Sequence, residues 1–145
     1  MMQLEVKLLR SGAQLPVFAS DAAAGLDLHA CLDEPLTLPP DGRVMVPIGL
    51  SLALPEGTVG LVYVRSSLAV KHGLALTNGV GVIDEDYRGE LLVALTNHSD
   101  DTYTIAHGDR IAQLVVTPYF RPELLAVDAL SETRRGTGGF GSTGI

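Results

Sequence analysis

Residues 76–90 read LTNGVGVIDEDYRGE, and the fold turns on how this stretch is parsed. Val80, Val82 and Ile83 make one apolar run, Asp84, Glu85 and Asp86 an acidic turn, and a second apolar run spans Leu91 to Leu95 after Tyr87, Arg88 and Gly89. Strand, charged turn and strand predict a β-hairpin. Gly79, Gly81 and Gly89 weaken packing in such strands but let another backbone or a ligand come close. Taken alone, the stretch fits a surface hairpin whose acids are solvated.

Working outward from it, the chain repeats short strands. Leu4, Val6 and Leu8 alternate with Glu5 and Lys7, Leu26 and Leu28 flank Asp27, and Val44, Val46 and Ile48 alternate before a run from Leu50 to Leu54. Val59–Val64, Thr102–Ile105, Arg110–Thr117 and Leu124–Val127 read as further strands, with Pro, Gly and Asp turns between them. One short helix is predicted over Ser66–His72, capped by Ser66 or Ser67 and stopped at Gly73. The pattern predicts an all-β sandwich or barrel. Residues 134–145 carry five glycines and no apolar period, so a body of residues 1–133 is expected to end in a flexible tail.

At 145 residues and 46% hydrophobic content, the chain can bury one domain's core. No apolar run approaches the roughly 18 residues that span a bilayer. The opening MMQLEVKLLRSG is too short and polar for a secretory signal, so a cytoplasmic location is expected. Cys31 is the sole cysteine, which excludes a disulfide framework. A net charge of −7 argues against binding long nucleic acids but allows a small anion held by local arginines.

The stock motifs mostly fail their context. Residues 136–141 match GxGxxG with no room for the helix it needs. No P-loop or GxSxG occurs, and His29, His72, His98 and His107 lack metal-ligand spacing. Asp84 and Asp86 alone are a weak cation signal.

Five stretches remain: AAGLDLHA (23–30), VRSSLAVKHG (64–73), the opening segment, GDRIAQLV (108–115) and RRGTGGFGSTG (134–144). Arg65, Ser66 and Ser67 at a helix start offer a cation, hydroxyls and N–H groups to a phosphate. Gln113 interrupts an apolar strand, so it is either buried against a partner or directed at a ligand. In the tail, Arg135, Ser142 and Thr143 suit phosphate, and Phe140 could stack on a base. These stretches, in this order, resemble the motifs of the homotrimeric dUTPase family, with GVIDEDYRGE and RGTGGFGSTG the most specific. One departure, Val64 where relatives often carry Gly or Pro, leaves the phosphate-binding groups in place.

The resemblance implies a jelly-roll β-sandwich in a threefold trimer, each active site built from two subunits with the tail of the third. It implies hydrolysis of dUTP to dUMP and pyrophosphate, which limits uracil in DNA and supplies dUMP for dTMP synthesis. Asp84 would be the general base for water attack on the α-phosphorus. Asn78 and the backbone of Gly81, Val82 and Ile83 would read uracil, and Tyr87 would pack on the deoxyribose. Arg65, Ser66, Ser67 and Gln113 would hold the α- and β-phosphates. Arg135, Ser142 and Thr143 would close over the γ-phosphate as Phe140 stacks on uracil, with Gly141 also among the substrate-binding residues. Mg²⁺ would ride on the triphosphate, with Asp27 an outer-shell or arginine-pairing residue and no direct protein ligand. Glu85 and Asp86 are left as solvated turn acids. The rival readings are a dCTP deaminase-like enzyme of the same fold and a non-catalytic nucleotide-binding module.

Overall fold

The computed structural model describes residues 2–141. Along them run β1 (Glu5–Leu8), β2 (Val17–Phe18), β3 (Leu26–His29), β4 (Leu36–Leu38), β5 (Arg43–Pro47), β6 (Leu50–Ala53) and β7 (Thr58–Val64). A single helix, α1 (Ser66–His72), precedes β8 (Leu74–Leu76), β9 (Gly81–Ile83), β10 (Leu92–Asn97), β11 (Tyr103–Ile105) and β12 (Arg110–Pro118). β2, β3, β12, β7 and β9 form, in that order, a five-stranded sheet, and β5, β10 and β8 a three-stranded one. β1 pairs with β6 and β4 with β11, and the pairings throughout are antiparallel.

The alternating residues explain the layers. Thr58, Gly60 and Val62 of β7 point inward, while Tyr63 is exposed. Leu28, Val62 and Leu114 of the larger sheet share one apolar core with Val46, Leu74, Val93 and Leu95 of the smaller. Each such buried leucine contributes about 1.5–3 kcal/mol. The register of β12 against β3 shifts between Arg110 and Ala112, so Ile111 and Ala112 are both buried, as a bulge allows. No helix among the described residues is long and apolar enough to cross a membrane.

The expected β-sandwich and its single helix are present, with three local differences. The first is that residues 80–95 are not a hairpin. β9 pairs with β7, whereas β10 pairs with β5 and β8, so the chain crosses from one sheet to the other between Ile83 and Leu92. Leu91 is drawn away by burial, its N–H donating to Leu50 and its carbonyl accepting from Ile48. Glu90 is held by Arg10 at 2.6 Å and by the Gly49 N–H at 3.1 Å. Sheet-to-sheet crossings of this kind make a jelly roll rather than a meander.

Second, neither serine caps α1. Arg65 is the N-cap, in extended conformation and without a side-chain cap bond, and Ser66 is already helical. Gly73 ends the helix as expected, with φ +65°. Third, Leu124–Val127 is not a strand. Phe120, Leu124 and Leu130 are 96%, 91% and 87% exposed, and no strand follows β12 among the described residues. Apolar alternation cannot tell a strand packed on its own core from an arm that packs elsewhere.

One buried polar residue ties the end of the sandwich together. The Asn97 amide donates to the carbonyls of Leu38 (3.0 Å) and Asp101 (2.8 Å) and accepts from the Ser99 N–H (2.9 Å) and hydroxyl (2.8 Å). Asn97→Ala strands these groups and opens a void, and is expected to lower stability by about 2–4 kcal/mol in denaturant unfolding. An effect below about 1 kcal/mol would contradict this account.

Candidate active site

β9 is the outermost strand of its sheet. One edge pairs with β7 through Gly60↔Ile83, Leu61↔Val82 and Val62↔Gly81, and the other has no strand beside it among the described residues. Such an edge offers backbone N–H and C=O groups to a ligand. Gly81 lets β9 lie close on β7, since a Cβ there would stand 3.0 Å from the Val62 Cβ. Asn78, Gly81, Val82 and Ile83 line a hollow of about 130 Å³ with Met45 and Leu92. An adjoining hollow of about 250 Å³ shares Met45, Val82, Ile83 and Leu92 and is closed by Asp84, Tyr87, Glu90 and Leu91. The four uracil-side residues expected from sequence are thus together, and Asp84 and Tyr87 stand at their far end. Met45 and Leu92 carry no mark in the sequence, where each reads as an apolar residue of a core strand; the structure leaves both exposed on this hollow.

Asp84 begins a tight turn, closed by the Tyr87 N–H donating to its carbonyl at 3.1 Å. Its exposed carboxylate pairs with no cation among the described residues and so can accept a water's proton. The Tyr87 hydroxyl donates to the Glu90 carbonyl at 2.9 Å. Its ring folds over Gly89, where a Cβ would stand 2.6 Å from the tyrosine Cζ. Arg88 Nη1 donates to the carbonyls of Glu85 (2.6 Å) and Tyr87 (3.1 Å). Glu85 is not a solvated acid: its Oε2 accepts from the Gly57 N–H at 2.7 Å and from the Tyr119 hydroxyl at 3.3 Å. Asp86 is exposed and lines, with Asp84, Glu85, Tyr119 and Arg121, a separate cleft of about 580 Å³.

A second polar cluster sits across β3, β12 and the end of β7. The Asp27 carboxylate, completely buried, meets Arg65 Nε at 3.3 Å and Arg110 Nη1 at 3.1 Å. Gln113 Nε2 donates to it at 3.4 Å. Gln113 therefore has a protein partner, and Asp27 is an arginine-pairing residue with both oxygens engaged. Two guanidinium groups against one carboxylate leave the cluster net positive, which suits an anion. Ser66 and Ser67 stand next to Arg65 at the start of α1. Nothing local in the sequence marks Arg110, although a buried carboxylate between two leucines calls for a cation beside it. His29, opposite Arg110 in the ladder, has its pKa lowered, chiefly by burial and further by Arg110 and Arg65, with Asp27 opposing. It is held towards the neutral form there.

Among its described residues, the tail makes hydrogen bonds only within itself and to the adjoining Thr133. Arg135 Nε donates to the Gly138 carbonyl at 2.9 Å, folding residues 133–138 on themselves. Phe140 is fully exposed at φ +49° beside Gly141 at φ +88°. Ser142 and Thr143 lie outside the described residues.

The two clusters do not meet within one chain. Ile83 stands opposite Gly60, and five extended residues at about 3.3 Å each place Arg65 roughly 16 Å further along β7. The antiparallel direction carries Asp84 away from Arg65.

A family model described as dUTPase matches residues 12–144. A deoxyuridine 5'-triphosphate nucleotidohydrolase of Desulfitobacterium hafniense is 53% identical over 91% of this chain and 88% of its own length. One from Anaeromyxobacter sp. is 51% identical over 99% of both chains. The dUTPase of Staphylococcus bacteriophage 80alpha, solved with dUpNHpp, aligns with a TM-score of 0.90 at 32% identity over 99% of both chains. With a family model over most of its length and relatives at half identity, the chain belongs to the dUTPase family.

Proposed function

We propose that this chain hydrolyses dUTP to dUMP and pyrophosphate, with Asp84 as the general base. The observation that carries the proposal is the exposed carboxylate of Asp84, held by a tight turn at the end of a hollow lined by Asn78 and the open edge of β9. In the reaction a water gives its proton to Asp84 while its oxygen bonds to the α-phosphorus. The bond from that phosphorus to the α,β-bridging oxygen breaks, and pyrophosphate leaves. A carboxylate suits the role because it stays ionised near neutral pH and takes the proton at hydrogen-bond range. Asn78 and the backbone of Gly81, Val82 and Ile83 read the uracil edge at fixed spacing. Tyr87, locked by its bond to the Glu90 carbonyl, packs on the deoxyribose and leaves no place for a 2′-hydroxyl. Removal of dUTP spares DNA from uracil, and the dUMP formed feeds dTMP synthesis; we assign this work to the cytoplasm.

Arg65, Ser66, Ser67 and Gln113 bind the α- and β-phosphates, with Arg65 and Gln113 oriented by the Asp27 carboxylate that Arg110 also holds. The spacing of roughly 16 Å along β7 means that these groups and Asp84 serve one nucleotide only if they come from different copies. That separation supports a homotrimer with sites at subunit interfaces, and so does the exposed apolar arm from Phe120 to Leu130. Residues 134–145 act as the lid, with Arg135, Gly141, Ser142 and Thr143 on the γ-phosphate and Phe140 over the uracil.

Mg²⁺, implied by the family, would be carried in on the triphosphate, where it would neutralise charge and fix the conformation of the phosphates. Both Asp27 oxygens face nitrogen donors, so Asp27 would stand at most in its outer shell.

Supplied with dUTP, dCTP, dTTP and UTP, the chain is expected to release pyrophosphate from dUTP alone; ammonia from dCTP would mean a deaminase, and binding without turnover a sensor. Asp84→Asn should lower kcat by about 10²–10⁴-fold while binding a non-hydrolysable dUTP analogue as before. Deleting residues 135–145 should cut kcat/KM at least about 10²-fold with an unchanged unfolding temperature, and full activity would refute the lid.

A further inference from the structure

We propose that Glu85 is the positioning residue of the catalytic turn, acting through a closed ring of three hydrogen bonds with Gly57 and Tyr119. The proposal rests on the reading of Asp84 as general base. Glu85 Oε2 accepts from the Gly57 N–H at 2.7 Å. The Gly57 carbonyl accepts from the Tyr119 N–H at 3.3 Å. The Tyr119 hydroxyl returns to Glu85 Oε2 at 3.3 Å, which closes the ring. Three distant parts of the chain meet there: the β6–β7 turn, the acidic turn, and the first residue after β12.

The ring answers a mechanical need. Asp84 sits just beyond a three-residue edge strand, in a connection that leaves one sheet for the other. A short edge pairing and an exposed turn are where local opening is easiest. The turn's own bond, from the Tyr87 N–H to the Asp84 carbonyl, fixes its shape but not its position on the protein. The Arg88 bonds stay within residues 85–88, and Tyr87 reaches the body only indirectly, through Glu90, which Arg10 and the Gly49 N–H hold six residues beyond the base. Glu85, the residue after the base, carries a side-chain tether of the turn to the sandwich. Its bond to the Gly57 N–H is short and charge-assisted, and the second donor on the same oxygen fixes the direction of the carboxylate. A general base displaced by about 1 Å loses up to about 10²-fold in rate.

The ring also joins the catalytic turn to the arm. Tyr119 follows Pro118, the last residue of β12, and opens the exposed segment that leads to the tail. One junction therefore holds both the turn that carries the base and the point from which the arm departs.

The test is steady-state dUTP hydrolysis by the full chain, with unfolding temperature recorded for every variant. Glu85→Ala is expected to lower kcat about 10–100-fold with KM within about twofold. Glu85→Gln keeps an amide oxygen for both donors and should stay within about threefold of the parent in kcat. Tyr119→Phe, which deletes one bond of the ring, should fall between them at the parent's unfolding temperature. Parental kcat in Glu85→Ala would overturn the proposal, and so would Glu85→Gln as impaired as Glu85→Ala, since charge and not geometry would then matter. Should Glu85→Ala not fold, parental kcat in Tyr119→Phe overturns it alone. If the unmodified chain leaves dUTP intact, the reading of Asp84 fails and this inference with it. An active parent with an indifferent ring sinks only the inference.

Discussion

The passage of the chain from β9 to β10 is the constraint from which the site follows. Eight residues, Asp84 to Leu91, separate an edge strand of one sheet from the central strand of the other. A hairpin would have covered the outer edge of β9 with β10. Because Leu91 is buried beside Ile48 and Leu50 and Glu90 is captured by Arg10 and Gly49, β10 goes to the other sheet and the edge stays open. The residues that a hairpin turn would present to solvent instead bridge two layers. Asp84 thus stands on an anchored connection and beside unpaired backbone groups, the two things a base-reading hydrolase needs in one place.

The second constraint is electrostatic. A completely buried carboxylate survives only with cations and hydrogen bonds around it, and Asp27 has Arg65, Arg110 and Gln113. The same contacts fix the guanidinium of Arg65 at the start of α1, so a group that stabilises the sheet also aims the proposed phosphate ligand. This accounts for a cationic site in a chain of net charge −7. The bulge in β12 belongs to the same arrangement, since it re-phases the strand between Arg110 and Gln113 and lets both reach Asp27.

Much of this is legible in the residues, and the limits have physical causes. Alternation in residues 44–48 and 59–64 predicts strands because one face of each is buried, and Gly73 marks the helix end because only glycine takes that φ cheaply. Pairing partners are another matter. The sequence around Asp84 shows two apolar runs and a turn, but nothing local says that Leu91 prefers Leu50 to Val82. Leu124 and Leu125 look like core residues for the same reason: apolarity marks what must be covered and not by what. Asp84, Asn78, Tyr87 and Arg65 could be picked out from motifs. Glu85 could not, since its partners Gly57 and Tyr119 are 28 and 34 residues away and neither has an unusual composition around it.

The arm and the divided site make the same demand on assembly. Phe120, Leu124, Leu125 and Leu130 expose apolar surface that a lone chain has no means to cover. At about 25 cal/mol per Å² that exposure is a driving force for association. Independently, the groups suited to phosphate and the carboxylate suited to activating water lie at opposite ends of β7. An enzyme must bring them within a few ångströms of one phosphorus, and a rigid strand cannot fold back to do it. On the proposed reading, copies arranged around a closed axis would satisfy both requirements at once, because an interface joining one copy's β9 edge to the next copy's Arg65 would recur identically at every site. Tyr119 then matters beyond its hydroxyl: it fixes where the arm leaves a body whose catalytic turn it also holds. A change in the path of the arm would therefore be felt at the Glu85 ring, and through it at Asp84 of its own chain.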